Sequence, residues 1–585
     1  MIRALIILMI ISAGYLFAEK INDEEILRAM RDEINRSLQE LKLEDLKEPY
    51  YIEYKLTFST AYDVTSTLGS VKSSDSIKRA ELDVGLRVGD YEFDNTNFFD
   101  VGLSFFGSTD DEERFKNRKI PLHPDYETLR RELWLATDAA YKRAAEIYSK
   151  KEAVIQNRAR VDTTPDFMKV KPRKNYIKKE VPSWDPGKYE KLCNELSSVF
   201  LKYPSLFISH AGIEYIPKKI YYVNSEGMEY TKTELFTGLE SFAFAQAEDG
   251  MPVSNFYITY GKVPSDLPPK DSLINAVHEV AQKTSDMLKA PALEAPYSGP
   301  VLFTSQAAAE VFAQSFAPNF VTQREQLTEG GVQSNDNFGA FQMKIGGRVM
   351  PDFLSVESIP KKEKYKQTKL IGNYKIDDNG IPVENVNLVE DGYLQNLISA
   401  RVPTRRVDET NGGKRGGAAM YSVLEVEAKA NKQKSYEKLK SRMMELCKAR
   451  ELAYGLIVKK VINQNLMFTT LMRETRGSYT PPRGQEKFAI AELYKVYPDG
   501  REELIRGGQG SGFTHRSFRD VILTGKEKYV CNYLAPSVIS PFMTGGDQYV
   551  GATVIVPGLL FEDAEIRTVD GTFDKPPYIT RPAED

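Results

Sequence analysis

Residues 299–316 read GPVLFTSQAAAEVFAQSF, and the reading of this stretch decides the fold. GPVLF is a short apolar strand. AAAEVFAQSF, residues 307–316, is helical in character and places Glu310 among alanines and phenylalanines. Either Glu310 is an ordinary residue of a core helix, or it is what remains of a chemical site. The surrounding sequence has to discriminate between the two.

The chain has 585 residues, which predicts two or more domains. A hydrophobic fraction of 41% supports sizeable cores, and the abundance of Tyr and Phe suits strands. The net charge of −4 provides no basic field to recruit nucleic acid or acidic membranes. There are only four histidines, His123, His210, His278 and His515, and this limits every metal hypothesis. Of three cysteines, at most one pair could bridge. Cys447 and Cys531 read as packing thiols, and the pairing state of Cys193, Cys447 and Cys531 stays open.

Residues 1–18 combine Arg3 with an apolar run from Ala4 to Ala18. The run is short for a membrane span and has the length of a signal-peptide core, so export to a periplasm or secretion is expected; an uncleaved anchor is the alternative. Residues 19–296 then form an α/β unit. Helical periodicity is predicted over 23–41 and 127–151, at Lys188–Tyr203, and in SLINAVHEVAQKTSDMLKA; strands are predicted from Tyr50 to Phe99 and on both sides of the NSEG and EDG turns. Residues 155–184 are basic and proline-bearing and read as a solvated linker. PALEAPYSGP marks a boundary near residue 297, and residues 297–585 are strand-rich, with hairpin turns at DDNG, EDG and PDG and one long helix over about 434–453. Residues 360–369 read as a charged loop.

Motifs for chemistry are sparse. His278-Glu279-Val280 resembles the start of a zinc-peptidase helix, but the next ligand positions hold Gln282 and Lys283, and a charged lysine repels a metal. His278 is therefore expected at a surface or cap. A serine triad could draw only on His123, His210 or His515, and HPDY at 123–126 reads as a helix start. NGGKRGG (411–417) and RGGQGSG (506–512) lack the strand–loop–GK[ST] order of a phosphate loop and read as flexible loops.

GPVLFTSQAAAEVFAQSF resembles the strand–helix unit of the TldD/PmbA family. RVGDYEFDNT, VNSEGMEY, DDNGIPVENVNLVEDGYL, VYPDGREELIRG and VPGLLFEDAEI follow in the family's order, from about Tyr50 to Ile566. The resemblance implies an α+β, two-domain TldD/PmbA-like fold, with an α/β N-terminal domain, a strand-rich C-terminal domain and an interior cavity between subunits. Active relatives carry HExxxH and a distant cysteine around zinc. On this chain the histidines fall at Ala309 and Gln314, the glutamate at Glu310, and the cysteine, counted back from Pro557, at Met543. Cys531 lies twelve residues too early. A family histidine after Asn-Gly is replaced by Gly413.

Alanine has no lone pair, an amide oxygen and a thioether are weak zinc donors, and a lone glutamate cannot acidify water. The resemblance therefore implies no cofactor here and leaves Glu310 vestigial as a catalytic residue. The leading expectation is a non-catalytic subunit or peptide-binding scaffold, paired as a homo- or heterodimer with a family member and taking unfolded peptide. One alternative is an active metallopeptidase with other ligands; another is a self-assembling structural or binding protein.

Overall fold

The computed structural model describes residues 22–42, 46–99, 114–156, 163–324, 326–328, 331–333, 339–462, 488–538, 549–569 and 571–575. The expected signal segment 1–18 and Met543 lie outside them. Among the described residues no helix is long and apolar enough to cross a membrane.

The first half begins with α1 (Asp23–Glu40), which starts at a capping box: Asn22 Oδ1 accepts from Glu25 N–H and Glu25 Oε2 accepts from Asn22 N–H. Its Ile26, Met30 and Ile34 are buried, as the periodicity requires. β1 (Pro49–Thr67) and β2 (Ser70–Val88) form a long hairpin, and Leu82, Val84, Leu86 and Val88 all point into the core. α2 (Tyr126–Gln156) packs on β2 and α1 through Leu129, Leu133 and Ala136. Then follow β3 (Lys174–Ile177), α3 (Pro186–Ser198), β4 (Ile208–Asn224), β5 (Glu229–Gln246), β6 (Pro252–Gly261) and α4 (Lys270–Lys289). The sheet runs β2–β1–β4–β5. The outer side of β5 is shared: β3 pairs parallel with Glu229–Lys232, and β6 pairs antiparallel with Thr237–Gln246.

Residues 155–184 are not wholly a solvated linker. β3 lies within them, and Asp166 and Phe167 are buried. Lys151 Nζ reaches Asp166 Oδ2 at 2.6 Å, and Met168 N–H donates to Arg401 O at 2.9 Å. A buried carboxylate opposite a buried lysine holds the segment down despite its basic, proline-bearing composition.

The second half opens with β7 (Tyr297–Phe303) and α5 (Ser305–Ser315). β8 (Leu354–Ser358), β9 (Val386–Glu390), β10 (Val423–Ala428), α6 (Tyr436–Ala449), β11 (Gly455–Val461), β12 (Phe488–Val496), β13 (Glu502–Ile505), β14 (Gly508–Ser511), β15 (Val521–Pro536) and β16 (Tyr549–Thr568) follow. The EDG and PDG turns close hairpins, with Gly392 and Gly500 at positive φ. Strands β7, β11, β12, β14 and β16 pair in a closed circuit, because β7 pairs parallel with β11 and antiparallel with β16. Closure removes sheet edges. Arg506–Gly512 is accordingly ordered structure rather than a flexible loop. Gly508–Ser511 is β14, and a Cβ on Gly510 would stand 2.2 Å from the Phe488 ring. NGGKRGG is likewise ordered: Lys414–Arg415 pairs with Ala418–Ala419, and Gly416 N–H donates to Asp378 Oδ2 at 2.8 Å. In α6 the buried stripe is Leu439, Met443 and Cys447, so Cys447 lies within it rather than beside it. All three thiols are free and buried.

The two halves are joined by two ionic groups, a half-buried one at Glu53 and a buried one at Arg401. Glu53 of β1 accepts from Tyr222 Oη (2.6 Å), Asn379 Nδ2 (3.0 Å) and Lys414 Nζ (3.2 Å). Although burial opposes its charge, Lys414 and these donors hold its carboxyl well below the usual range. Arg401 is 1% exposed; it donates to Met168 O (2.9 Å) and to Glu226 (2.7 Å) and lies over the Phe167 ring. Replacing Arg401 with methionine strands the Glu226 charge and the Met168 carbonyl. The R401M variant should lose about 3–5 kcal/mol in denaturant unfolding, and limited proteolysis should then cut between residues 163 and 184 first.

Candidate functional site

The turn from β7 into α5 is sharp, with Ser305 at φ +49, a left-handed conformation that costs a β-carbon residue about 1 kcal/mol. It delivers a helix whose small side chains allow close approach on several sides. Ala307 to Ala313 are all buried, against β11, β15 and β16. Phe312 and Phe316 seal the helix among Phe303, Phe341, Phe513, Phe518 and Phe561.

Glu310 is 2% exposed, a hydrogen-bonded residue of a core helix. Gln306, Glu310 and Gln314 are spaced at i, i+4 and i+8 and share one face. Gln314 Nε2 donates to Glu310 Oε1 at 2.8 Å, and Gln306 Nε2 donates to Glu310 Oε2 at 3.3 Å. Gln306 is fixed in turn by the backbone end of β11, donating to Val461 O (3.0 Å) and accepting from Val461 N–H (2.9 Å). Burial pushes the Glu310 carboxyl up to about 7, with Gln314 pulling in the opposite direction. Ala309, the first former histidine position, is 0% exposed within the apolar cluster. Gly413 is equally closed to a side chain, since a Cβ there would stand 2.5 Å from Ile398 Cγ2.

Cys531 corrects the sequence reading. It lies on β15, and its Sγ stands 4.0 Å from Glu310 Oε2. Cys531 is therefore part of this pocket, although it is twelve residues from the expected position. Burial first, and Glu310 second, push its thiol well above the ordinary value. A protonated, enclosed thiol is not a nucleophile. Tyr533 adjoins it, with its buried hydroxyl beside that of Tyr421.

The donor set does not fit a catalytic zinc. Such a site takes three protein ligands plus water. Among the described residues Glu310 and Cys531 offer two donors, each of which would first have to lose a proton, and Gln314 turns its amide N–H toward the carboxyl. Among the described residues no three His, Cys, Asp or Glu side chains converge to hold a metal ion. The histidines lie in other settings. His210 Nε2 is 3.3 Å from Glu240, and His515 meets Lys344 Nζ at 3.1 Å. His515 is pushed down to about 4 by burial and by Lys344, Arg516 and Arg519. His278 is half-buried near Tyr203, and His123 precedes the α2 start, where Asp125 caps Thr128.

Next to this pocket lies a cavity of about 1170 Å³ between the first sheet and β15–β16. Tyr260 of β6 lines it, and burial first, then Glu240 and Glu214, push its hydroxyl well above the ordinary value. The outer side of β5 opens into this space. β3 ends opposite Lys232 and β6 ends opposite Thr237, so Thr233–Phe236 carry no strand on that side, and all four residues line the cavity. Hairpin spacing predicts β5 and β6 but gives no sign of this gap. The i, i+4, i+8 repeat of Gln306, Glu310 and Gln314 was the readable signal for the amide clamp.

An acid whose folded-state pKa lies above its unfolded value retains its proton longer when folded. Its stabilising effect is complete below the unfolded value of 4.5 and is lost as pH climbs toward about 7. The loss amounts to about 3 kcal/mol. E310Q should remove that dependence: its melting temperature should exceed that of the wild type at pH 8, and the gap should shrink steadily from pH 7 to pH 5.

Residues 296–493 match a family model described as the PmbA/TldA metallopeptidase C-terminal domain. No curated protein sequence matches the chain. Solved structures share its fold. TldE from Thermococcus kodakarensis is 12% identical with a TM-score of 0.55, covering 92% of this chain and 100% of that one. A protein from Thermotoga maritima, provisionally described as a modulator of a DNA gyrase, is 13% identical with a TM-score of 0.55, covering 88% and 96%. One from Bacteroides thetaiotaomicron with a similar description is 12% identical with a TM-score of 0.56, covering 94% and 100%. Residues 296–493 thus match the C-terminal domain of the PmbA/TldD metallopeptidases in sequence, and nearly the whole chain shares its α+β fold with these solved structures.

Proposed function

We propose that this protein is a non-catalytic, peptide-binding member of its family. The observation that carries the reading is the open side of β5 at Thr233–Phe236, which presents unpaired backbone to a large cavity. A chain laid there as a short strand gains main-chain hydrogen bonds whatever its sequence, which suits unfolded segments. Four residues of strand span about 13 Å. The adjoining Glu310 pocket supports the non-catalytic part of the reading. Its carboxyl is held by two amides, its thiol is protonated, and among the described residues no third metal donor joins them.

Proximity of Cys531 to Glu310 favours a second reading, in which these two groups, with a donor outside the described residues, ligate a metal and cleave the peptide. Export, and pairing with a second family member, remain proposals that rest on the apolar run at residues 1–18 and on the resemblance.

Fluorescence polarisation with a labelled unfolded peptide separates the two. Saturable binding is expected, with the peptide intact by mass spectrometry after overnight incubation with zinc. Substituting proline at Leu235 should weaken binding at least about tenfold, because the added ring and lost N–H block strand pairing. Chelator-sensitive cleavage that disappears in C531A would establish the second reading instead.

A further inference from the structure

The gap along β5 is bracketed by two lysines. Lys179 follows the end of β3, which runs parallel to β5 and pairs Ile177 with Lys232. Lys262 follows the end of β6, which pairs Gly261 with Thr237. Lys375 and Arg415 face the same cavity from the second half of the chain.

None of these four cations has a carboxylate partner among the described residues. Lys262 Nζ donates to Asn373 O at 3.1 Å. Arg415 donates to Gly551 O at 2.8 Å and lies 4.7 Å over the Tyr374 ring. The nearby acids offset them only in part. Glu234 is taken up by Lys232 at 2.8 Å, and Glu363 stands exposed at the rim. Burial, together with Lys179 and Arg415, lowers Lys262 to about 7. The cavity wall as a whole carries as many acids as cations, but these four cations form no ion pair with any of them among the described residues. The Asn373 Oδ1 atom on the same wall is also unpartnered.

A notch only four residues long cannot pass an extended chain through between β3 and β6. A strand entering it has to end or turn away, and at each end it meets a lysine without an ion-pair partner, beside Glu180 at one end and the Lys369-paired Asp266 at the other. We propose that Lys179, Lys262, Lys375 and Arg415 form a subsite for the C-terminal α-carboxylate of a peptide whose last residues pair with Thr233–Phe236. The inference rests on the peptide-binding reading above and adds the polarity of the bound chain. Lysine and arginine donors make charge-assisted hydrogen bonds to a carboxylate, and these are roughly twice as strong as neutral ones. The amide of the same peptide receives none of that gain.

Three versions of one neutral peptide test this by polarisation: free acid, C-terminal amide, and amide with an internal glutamate. The free acid should bind at least about tenfold tighter than either amide, and the preference should fall to within about threefold in K262M. Equal binding of acid and amide, or full recovery by the internal glutamate, would overturn the terminal-carboxylate assignment. A second measurement covers the case in which no peptide binds. Lys262 acetylation by acetic anhydride is followed by mass spectrometry with N-acetylalanine or its amide present. Protection by the acid alone would keep the subsite while the peptide reading fell. No protection would overturn the subsite as well.

Discussion

The second half of this molecule is arranged around a carboxyl group that, among the described residues, has no cation beside it. Glu310 sits inside an apolar core, where a bare carboxylate is costly and an unpaired carboxyl nearly as unwelcome. Gln306 and Gln314, one turn before and one turn after it, resolve the conflict by capping both oxygens from its own helix. The alanines between them let that helix sink against β11, β15 and β16. The phenylalanines at its end then close the pocket. In this arrangement the glutamate is a hydrogen-bonded structural group with a movable proton, and Ala309 and Gln314, where the resemblance would put imidazoles, serve as packing and clamp. Ala309 fills apolar space, and Gln314 donates to the carboxylate rather than offering a lone pair to an ion.

The circuit of β7, β11, β12, β14 and β16 has no edge, and the open strand side that faces the cavity lies in the first sheet. There the pairing of β5 with two short neighbours leaves a break that faces the cavity. The cavity persists because the halves are fastened beside it by groups that cannot easily separate. Arg401 ties Met168 and Glu226 together, and Lys414 and Asn379 converge on Glu53. Removing one partner would leave the other charge buried. A rigid floor, an open strand edge and unpaired cations at its ends are thus consequences of one interface.

Periodicity made most helices and hairpins legible. Ile26, Met30 and Ile34, or Leu82 to Val88, announce their faces because burial on one side is the main force acting on them. Glycine-rich runs misled for a local reason. Gly510 and Gly413 are there because Phe488 and Ile398 press on the backbone, and crowding of that kind leaves the same composition as a loose loop. Residues 155–184 misled through charge: their basic surface hid Asp166, whose partner Lys151 lies on the preceding helix. Cys531 could not be placed by counting along the chain. Its approach to Glu310 depends on how β15 crosses α5, a tertiary fact without a local signature. The order of family segments indicated the architecture, but not which side chains replaced the site.

Whether this pocket grips a divalent ion is the central question, and elemental analysis answers it directly. Protein supplemented with zinc and then dialysed extensively should retain far less than one zinc per chain, with the same residual amount in E310A and C531A. One tightly held zinc per chain, lost on either substitution, would contradict the account.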